Sequence, residues 1–175
     1  MKKTGILLIL LLAFYSCKKE TSKKETVQLE IVANDDLEIY NYEGLKPLLN
    51  RVDNKIYIIN FWATWCAPCI KELPYFEQIN EAYNDKNVEV ILVSLDFPKQ
   101  YEKKLKPYIK NNNIQSKVVA FDDPDQNKWI PDIAENWTGA IPATLIYNKD
   151  KRQFYERSFN CEELEIELKT FLNTK

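Results

Sequence analysis

The sequence predicts a single α/β domain behind an exported N-terminal segment. From Thr26 onward, runs of β-branched and aromatic residues alternate with segments of helical period, the pattern that builds layered α/β folds. Ile56-Tyr57-Ile58-Ile59-Asn60-Phe61-Trp62 is almost continuously apolar, as a central strand covered by helices on both faces must be. Residues 26–175 also amount to the ~150 residues of one ordinary domain.

In chain order, residues 1–16 read as a signal peptide. Lys2 and Lys3 precede the apolar run Ile6 to Phe14, which is shorter than the ~20 residues of a spanning helix. Tyr15-Ser16-Cys17 resembles a loose bacterial lipobox, although Phe14 and Tyr15 depart from its usual pattern. Cys17 is therefore the expected site of lipidation; the alternative is an uncleaved signal anchor with Cys17 an idle thiol. Residues 17–25 are charged and low in complexity, so they cannot bury a core and read as a solvated tether. Lys18-Lys19-Glu20 also looks like the charged tracts that send some lipoproteins to the cell surface.

The domain then opens with two short strands, Val27 to Val32 and Leu37 to Tyr40, and a helix over Tyr42 to Val52 interrupted by Pro47. After the central strand, Ile70, Leu73, Phe76, Ile79 and Tyr83 recur at helical spacing, and Val88 to Leu95 supplies the next buried strand. Tyr101, Leu105, Tyr108 and Ile109 mark a helix bent or ended near Pro107, which has no N–H for the ladder. Val118 to Phe121 is a short strand before the turn Asp122-Asp123-Pro124-Asp125. Ala143 to Tyr147 and Gln153 to Phe159 read as a hairpin, and Leu164, Leu168, Phe171 and Leu172 as the apolar stripe of a final helix.

Composition narrows the chemistry. With no histidine, imidazole acid/base catalysis, Ser-His-Asp and Cys-His hydrolysis, and His-ligated catalytic zinc are excluded. Gly5, Gly44 and Gly139 are the only glycines and none sits in a phosphate-cradling loop, so nucleotide chemistry is not expected. A formal charge of −2 offers no basic field for nucleic acid.

Trp65-Cys66-Ala67-Pro68-Cys69 falls just past the central strand, at the start of a helix. Unpaired N–H groups and the helix dipole favour negative charge there, so a Cys66 thiolate is stabilised. Two cysteines at this spacing can close a small disulfide with little backbone movement and so cycle between dithiol and disulfide. Cys66, nearer the helix start, is the expected attacking thiol and Cys69 the resolving one. A zinc half-site or a static bridge are the alternatives; zinc would need further ligands from the distant Cys17 and Cys161.

Asn60-Phe61-Trp62-Ala63-Thr64-Trp65-Cys66-Ala67-Pro68-Cys69 resembles the active site of the thioredoxin superfamily. More narrowly, it is similar to the membrane-tethered extracytoplasmic thiol-disulfide reductases of the TlpA and ResA kind. The resemblance implies a thioredoxin-like three-layer sandwich with a central mixed sheet, an N-terminal strand extension and a helix-strand insertion, the last matching Lys99 to Asp132. It makes Gly139-Ala140-Ile141-Pro142-Ala143-Thr144 the cis-proline loop facing the cysteines. There Pro142 is the cis residue and the Ile141 backbone is available to a substrate strand; the alternative is an ordinary trans proline. Pro74 matches a helix-kinking proline. Trp65, Ala67, Pro68, Ile141 and Pro142 become substrate-binding candidates, with Trp62 and Trp65 as walls of the site.

Glu72 lies one helical turn beyond Cys69, where the resembled reductases carry a glutamate that tunes the thiols. If partly buried it would have a raised pKa and could shuttle the Cys69 proton; otherwise it is a surface residue beside Lys71. Asn60 stands where cytoplasmic thioredoxins carry a buried aspartate. Asp125 to Pro131 reads as a loop that shapes the rim or simply buries Trp129. Cys161 reads as a buried filler or weak cap, with a regulatory thiol as the minority reading.

The expected activity is thiol-disulfide exchange through a Cys66/Cys69 cycle, with no cofactor or metal beyond that disulfide. Ala67-Pro68 lacks the histidine of strongly oxidising sites, which favours a reductase. The implied partners are a membrane thiol reductase as electron donor and exported disulfide-containing proteins as clients, at the bacterial cell envelope. A thiol peroxidase is disfavoured, because P-x-x-x-T-x-x-C would need proline and threonine where Ile59 and Ala63 stand. A non-catalytic surface lipoprotein that reuses the fold is the third reading.

Overall fold

The structure is a computed structural model that describes residues 37–172, all within the compact unit Asn34–Lys175. The expected signal peptide, the expected tether with Cys17 and the strand expected at Val27 to Val32 lie outside the described residues.

Six strands form one mixed sheet: β1 (Glu38–Tyr40), β2 (Ile56–Trp62), β3 (Val88–Ser94), β4 (Lys117–Phe121), β5 (Ala143–Tyr147) and β6 (Arg152–Tyr155), in the order β1-β4-β3-β2-β5-β6. Pairing is parallel from β1 to β2 and antiparallel across β2–β5–β6. β2 is central and wholly buried, and the two-residue period of its side chains divides the interior. Ile56, Ile58 and Trp62 enter one core with α2 (Ala67–Tyr83), α3 (Lys106–Asn111) and α5 (Cys161–Leu172). Tyr57, Ile59 and Phe61 enter the other with α1 (Tyr42–Leu49) and α4 (Gln126–Ile133). The result is the three-layer α/β sandwich that the resemblance implies.

Three elements differ from expectation. α1 runs through Pro47 and stops at Leu49, not Val52. Proline removes one donor, but Asn41 Oδ1 accepts from Gly44 N at 3.0 Å, Asn50 Nδ2 donates to Lys46 O at 2.8 Å, and Leu45, Leu48 and Leu49 are buried. The segment around Asp125 to Pro131 is the helix α4, not a loop. Its Trp129 and Ile133, one turn apart, are buried, with Trp129 edge-on to Phe121 at 5.0 Å and to Trp137 at 5.4 Å. β6 ends at Tyr155, so residues 156–159 leave the sheet.

The helix expected around Pro107 begins as a π-helical turn, Tyr101–Leu105, in which Lys106 N donates to Tyr101 O; α3 continues from it, with Pro107 just past the point where the wider turn replaces the α-helical ladder. Cys161 does not cap α5. Asn160 Oδ1 accepts from Glu163 N at 2.9 Å and Glu163 Oε2 accepts from Asn160 N at 3.0 Å, a reciprocal capping box. Cys161 is the half-buried first residue of α5 and a free thiol.

Candidate active site

The chain leaves β2 at Trp62 and turns through Ala63, Thr64 and Trp65 into α2. Cys66 N donates to Ala63 O at 3.1 Å and Leu95 N to Trp62 O at 2.7 Å. The turn is braced by Asp96, just past β3 and 1% exposed. Asp96 Oδ2 accepts from Thr64 N and Ser94 Oγ, both at 2.9 Å, and Oδ1 accepts from Thr64 Oγ1 at 2.5 Å. Sequence reasoning missed Asp96. The available signal was its position at the carboxyl end of a parallel strand next to β2, where α/β sheets assemble their sites.

Cys66 is the N-cap of α2. Its Sγ accepts from Cys69 N at 3.3 Å, and it forms a disulfide with Cys69 across a Cα–Cα distance of 5.3 Å. Cys66 is 5% exposed and Cys69 fully buried, so Cys66 is the cysteine of the pair that solvent reaches. Ala67 and Pro68 are exposed; Pro68 sits where a helix has no N–H to lose. Trp65 is 51% exposed and stacks on the exposed Phe97 at 6.3 Å. Trp62, in contrast to the expectation that it walls the site, is fully buried and leans on Tyr108 at 5.5 Å, because a β2 residue facing α2 enters the core.

The antiparallel register Phe61↔Ala143 and Asn60↔Thr144 brings the start of β5 beside the end of β2. The Ile141-Pro142 peptide there is cis, and Ile141 O lies 3.8 Å from Cys66 Sγ.

Glu72 is buried, 1% exposed, and not on the surface beside Lys71. Oε1 accepts from Asn60 Nδ2 at 2.9 Å and Oε2 from Phe159 N at 2.8 Å. Burial pushes its pKa up to about 7, against the downward pull of those two donors and of Arg157. Asn60 Nδ2 also reaches Thr144 Oγ1 at 3.2 Å, while its buried Oδ1 has no partner. Among the described residues, no group of three or more Cys, Asp or Glu is placed to hold a metal ion.

The arrangement is a redox-capable cysteine pair at an open helix N-terminus, flanked by a cis-proline loop and backed by a buried carboxyl group. Residues 31–152 match the AhpC/TSA family model. The thiol-disulfide oxidoreductase ResA of Bacillus cereus is 30% identical over 112 residues, covering 64% of this chain and 60% of that protein. The thioredoxin-like protein YneN of Bacillus subtilis is 33% identical over 117 residues, covering 66% and 68%. A thioredoxin-family thiol:disulfide interchange protein from Chlorobium tepidum shares the fold, with a TM-score of 0.58 at 20% identity over 68% of this chain and 81% of that one. A family match across well over half the chain, joined to this fold and these relatives, places the protein: it belongs to the AhpC/TSA family, on the thioredoxin fold.

Proposed function

We propose that the protein is a thiol-disulfide oxidoreductase that reduces disulfides of exported proteins by cycling Cys66 and Cys69 between dithiol and disulfide. The observation that carries this reading is the Cys66–Cys69 pair at the open start of α2, with Cys66 Sγ beside the Ile141-Pro142 peptide. The similarity to the thiol-disulfide oxidoreductase ResA of Bacillus cereus supports it.

In the reduced protein, the Cys66 thiolate attacks one sulfur of a client disulfide. An S–S bond to the client forms, the client's own S–S bond breaks, and its second sulfur leaves with the electron pair and takes a proton. The Cys69 thiolate then attacks Cys66 Sγ, which restores the internal disulfide and releases the first client sulfur as a thiolate. The client gains two electrons and the protein loses two. A membrane thiol reductase would return them through a second exchange, with no cofactor beyond the cysteine pair.

Glu72 is the group one helical turn from Cys69 that can take up the resolving thiol's proton. The helix end contributes roughly 0.3–1 kcal/mol to the Cys66 thiolate. Trp65, Ala67, Pro68 and Ile141 form the client-facing rim, with the buried Pro142 beneath it setting the course of the Ile141 backbone. The protein would work in the bacterial cell envelope, with residues 1–16 removed and lipid on Cys17 of the tether.

The test is reduction of insulin by the purified protein with a dithiol donor. Wild type turns over and Cys66→Ser loses activity, because no thiolate is left to attack. Unchanged turnover in Cys66→Ser, or peroxide consumption faster than disulfide reduction, contradicts the reading.

A further inference from the structure

The loop that carries Pro142 is held from two sides. On one, Trp137 is buried against Phe61 and Phe154, with ring centroids 4.8 and 5.2 Å away, and its Nε1 donates to Ala140 O at 2.8 Å. On the other, Glu156, the first residue past β6, turns its carboxylate onto the loop. Oε2 accepts from Thr138 N at 3.0 Å, and Oε1 accepts from Ala140 N at 3.1 Å and from the Thr138 hydroxyl. Both backbone hydrogen-bonding groups of Ala140 are thus tied to side chains, so the peptide entering Ile141 cannot rotate without breaking a bond. Gly139, between the anchors, has φ +91°, and a Cβ there would stand 2.9 Å from Ile130 Cδ1. The turn admits only glycine without strain.

Three residues beyond Glu156, Phe159 N donates to Glu72. The strap between β6 and α5 therefore touches both halves of the site: the proline loop through Glu156 and the cysteine helix through Phe159. Bonds to an ionised carboxylate are among the stronger protein hydrogen bonds.

We propose that Glu156 is a positioning residue for client binding. Resting on the reading of the Ile141-Pro142 loop as client-facing, it fixes the peptides of Thr138 to Ala140 so that the Ile141 backbone meets an extended client segment while the client disulfide lies on Cys66. Strand-like pairing of this kind depends on where the main-chain groups point. A small disulfide has no segment to pair and does not call on the loop.

The test compares insulin with hydroxyethyl disulfide as substrates for wild type, Glu156→Ala and Glu156→Gln, after thermal unfolding has shown each variant folded. Glu156→Ala raises KM for insulin relative to KM for hydroxyethyl disulfide by about tenfold, the effect of losing one such charged bond, and kcat changes less. Glu156→Gln keeps one acceptor oxygen and falls between the two. An unchanged KM ratio, or a uniform loss on both substrates, overturns the proposal. A wild type that reduces neither substrate removes the oxidoreductase reading itself, and this proposal with it.

Discussion

Glu72 is a carboxyl group with almost no solvent, held by Asn60 and the Phe159 amide, whose pKa burial raises from 4.5 to about 7. A raised folded-state pKa means that the native protein binds the extra proton, so the stabilisation is complete below pH 4.5 and is lost as pH rises through about 7. Urea midpoints of the wild type should therefore fall across that window, and Glu72→Gln should flatten the fall; parallel profiles would return Glu72 to a structural role. In the reduced protein the same substitution should move the alkylation profile of Cys66 to lower pH and a simpler single step, because the coupled negative charge is gone. Cys66 and Cys69 were legible from their spacing at the end of an apolar strand, and Glu72 and Pro142 through the resemblance to extracytoplasmic thiol-disulfide reductases. Asp96 and Glu156 were not, since each reaches the site only when a distant strand ends beside it, 32 residues from Thr64 in one case and 16 from Ala140 in the other.

The elements that periodicity resolves are those with long apolar stripes: β2, β3, α2 and α5 fall where the spacing puts them. α4 escaped because Pro131 reads as a breaker and its stripe is just Trp129 and Ile133; the aromatic contacts with Phe121 and Trp137 that hold it come from other parts of the chain. The end of β6 is likewise set by tertiary demand, since Glu156 and Phe159 are drawn to the active site and not to a strand partner. α5 is fixed locally by the Asn160–Glu163 box. Asn160→Ala should cost about 1 kcal/mol, read as a lower urea midpoint with an unchanged slope. A cost near zero would mean that the buried face of Leu164, Leu168 and Phe171 orders the helix without its cap.

At the scale of the molecule, the sheet changes from parallel to antiparallel at β2, which brings the carboxyl ends of β2 and β3 and the start of β5 to one edge. Cys66, Asp96 and Pro142 each lie just outside those strand ends, Cys66 packed into the core on the α2 face of β2 and Asp96 bonded to Thr64. In the proposed thiol-disulfide exchange at this end of the sheet, Cys66 is the attacking sulfur. Trapping tests it most directly: Cys69→Ser, reduced, mixed with insulin, quenched in acid and mapped by peptide mass spectrometry. The expected product is a mixed disulfide between insulin and Cys66, stalled because the resolving thiol is missing. No adduct, or an adduct at Cys161 with Cys66 left free, would contradict it.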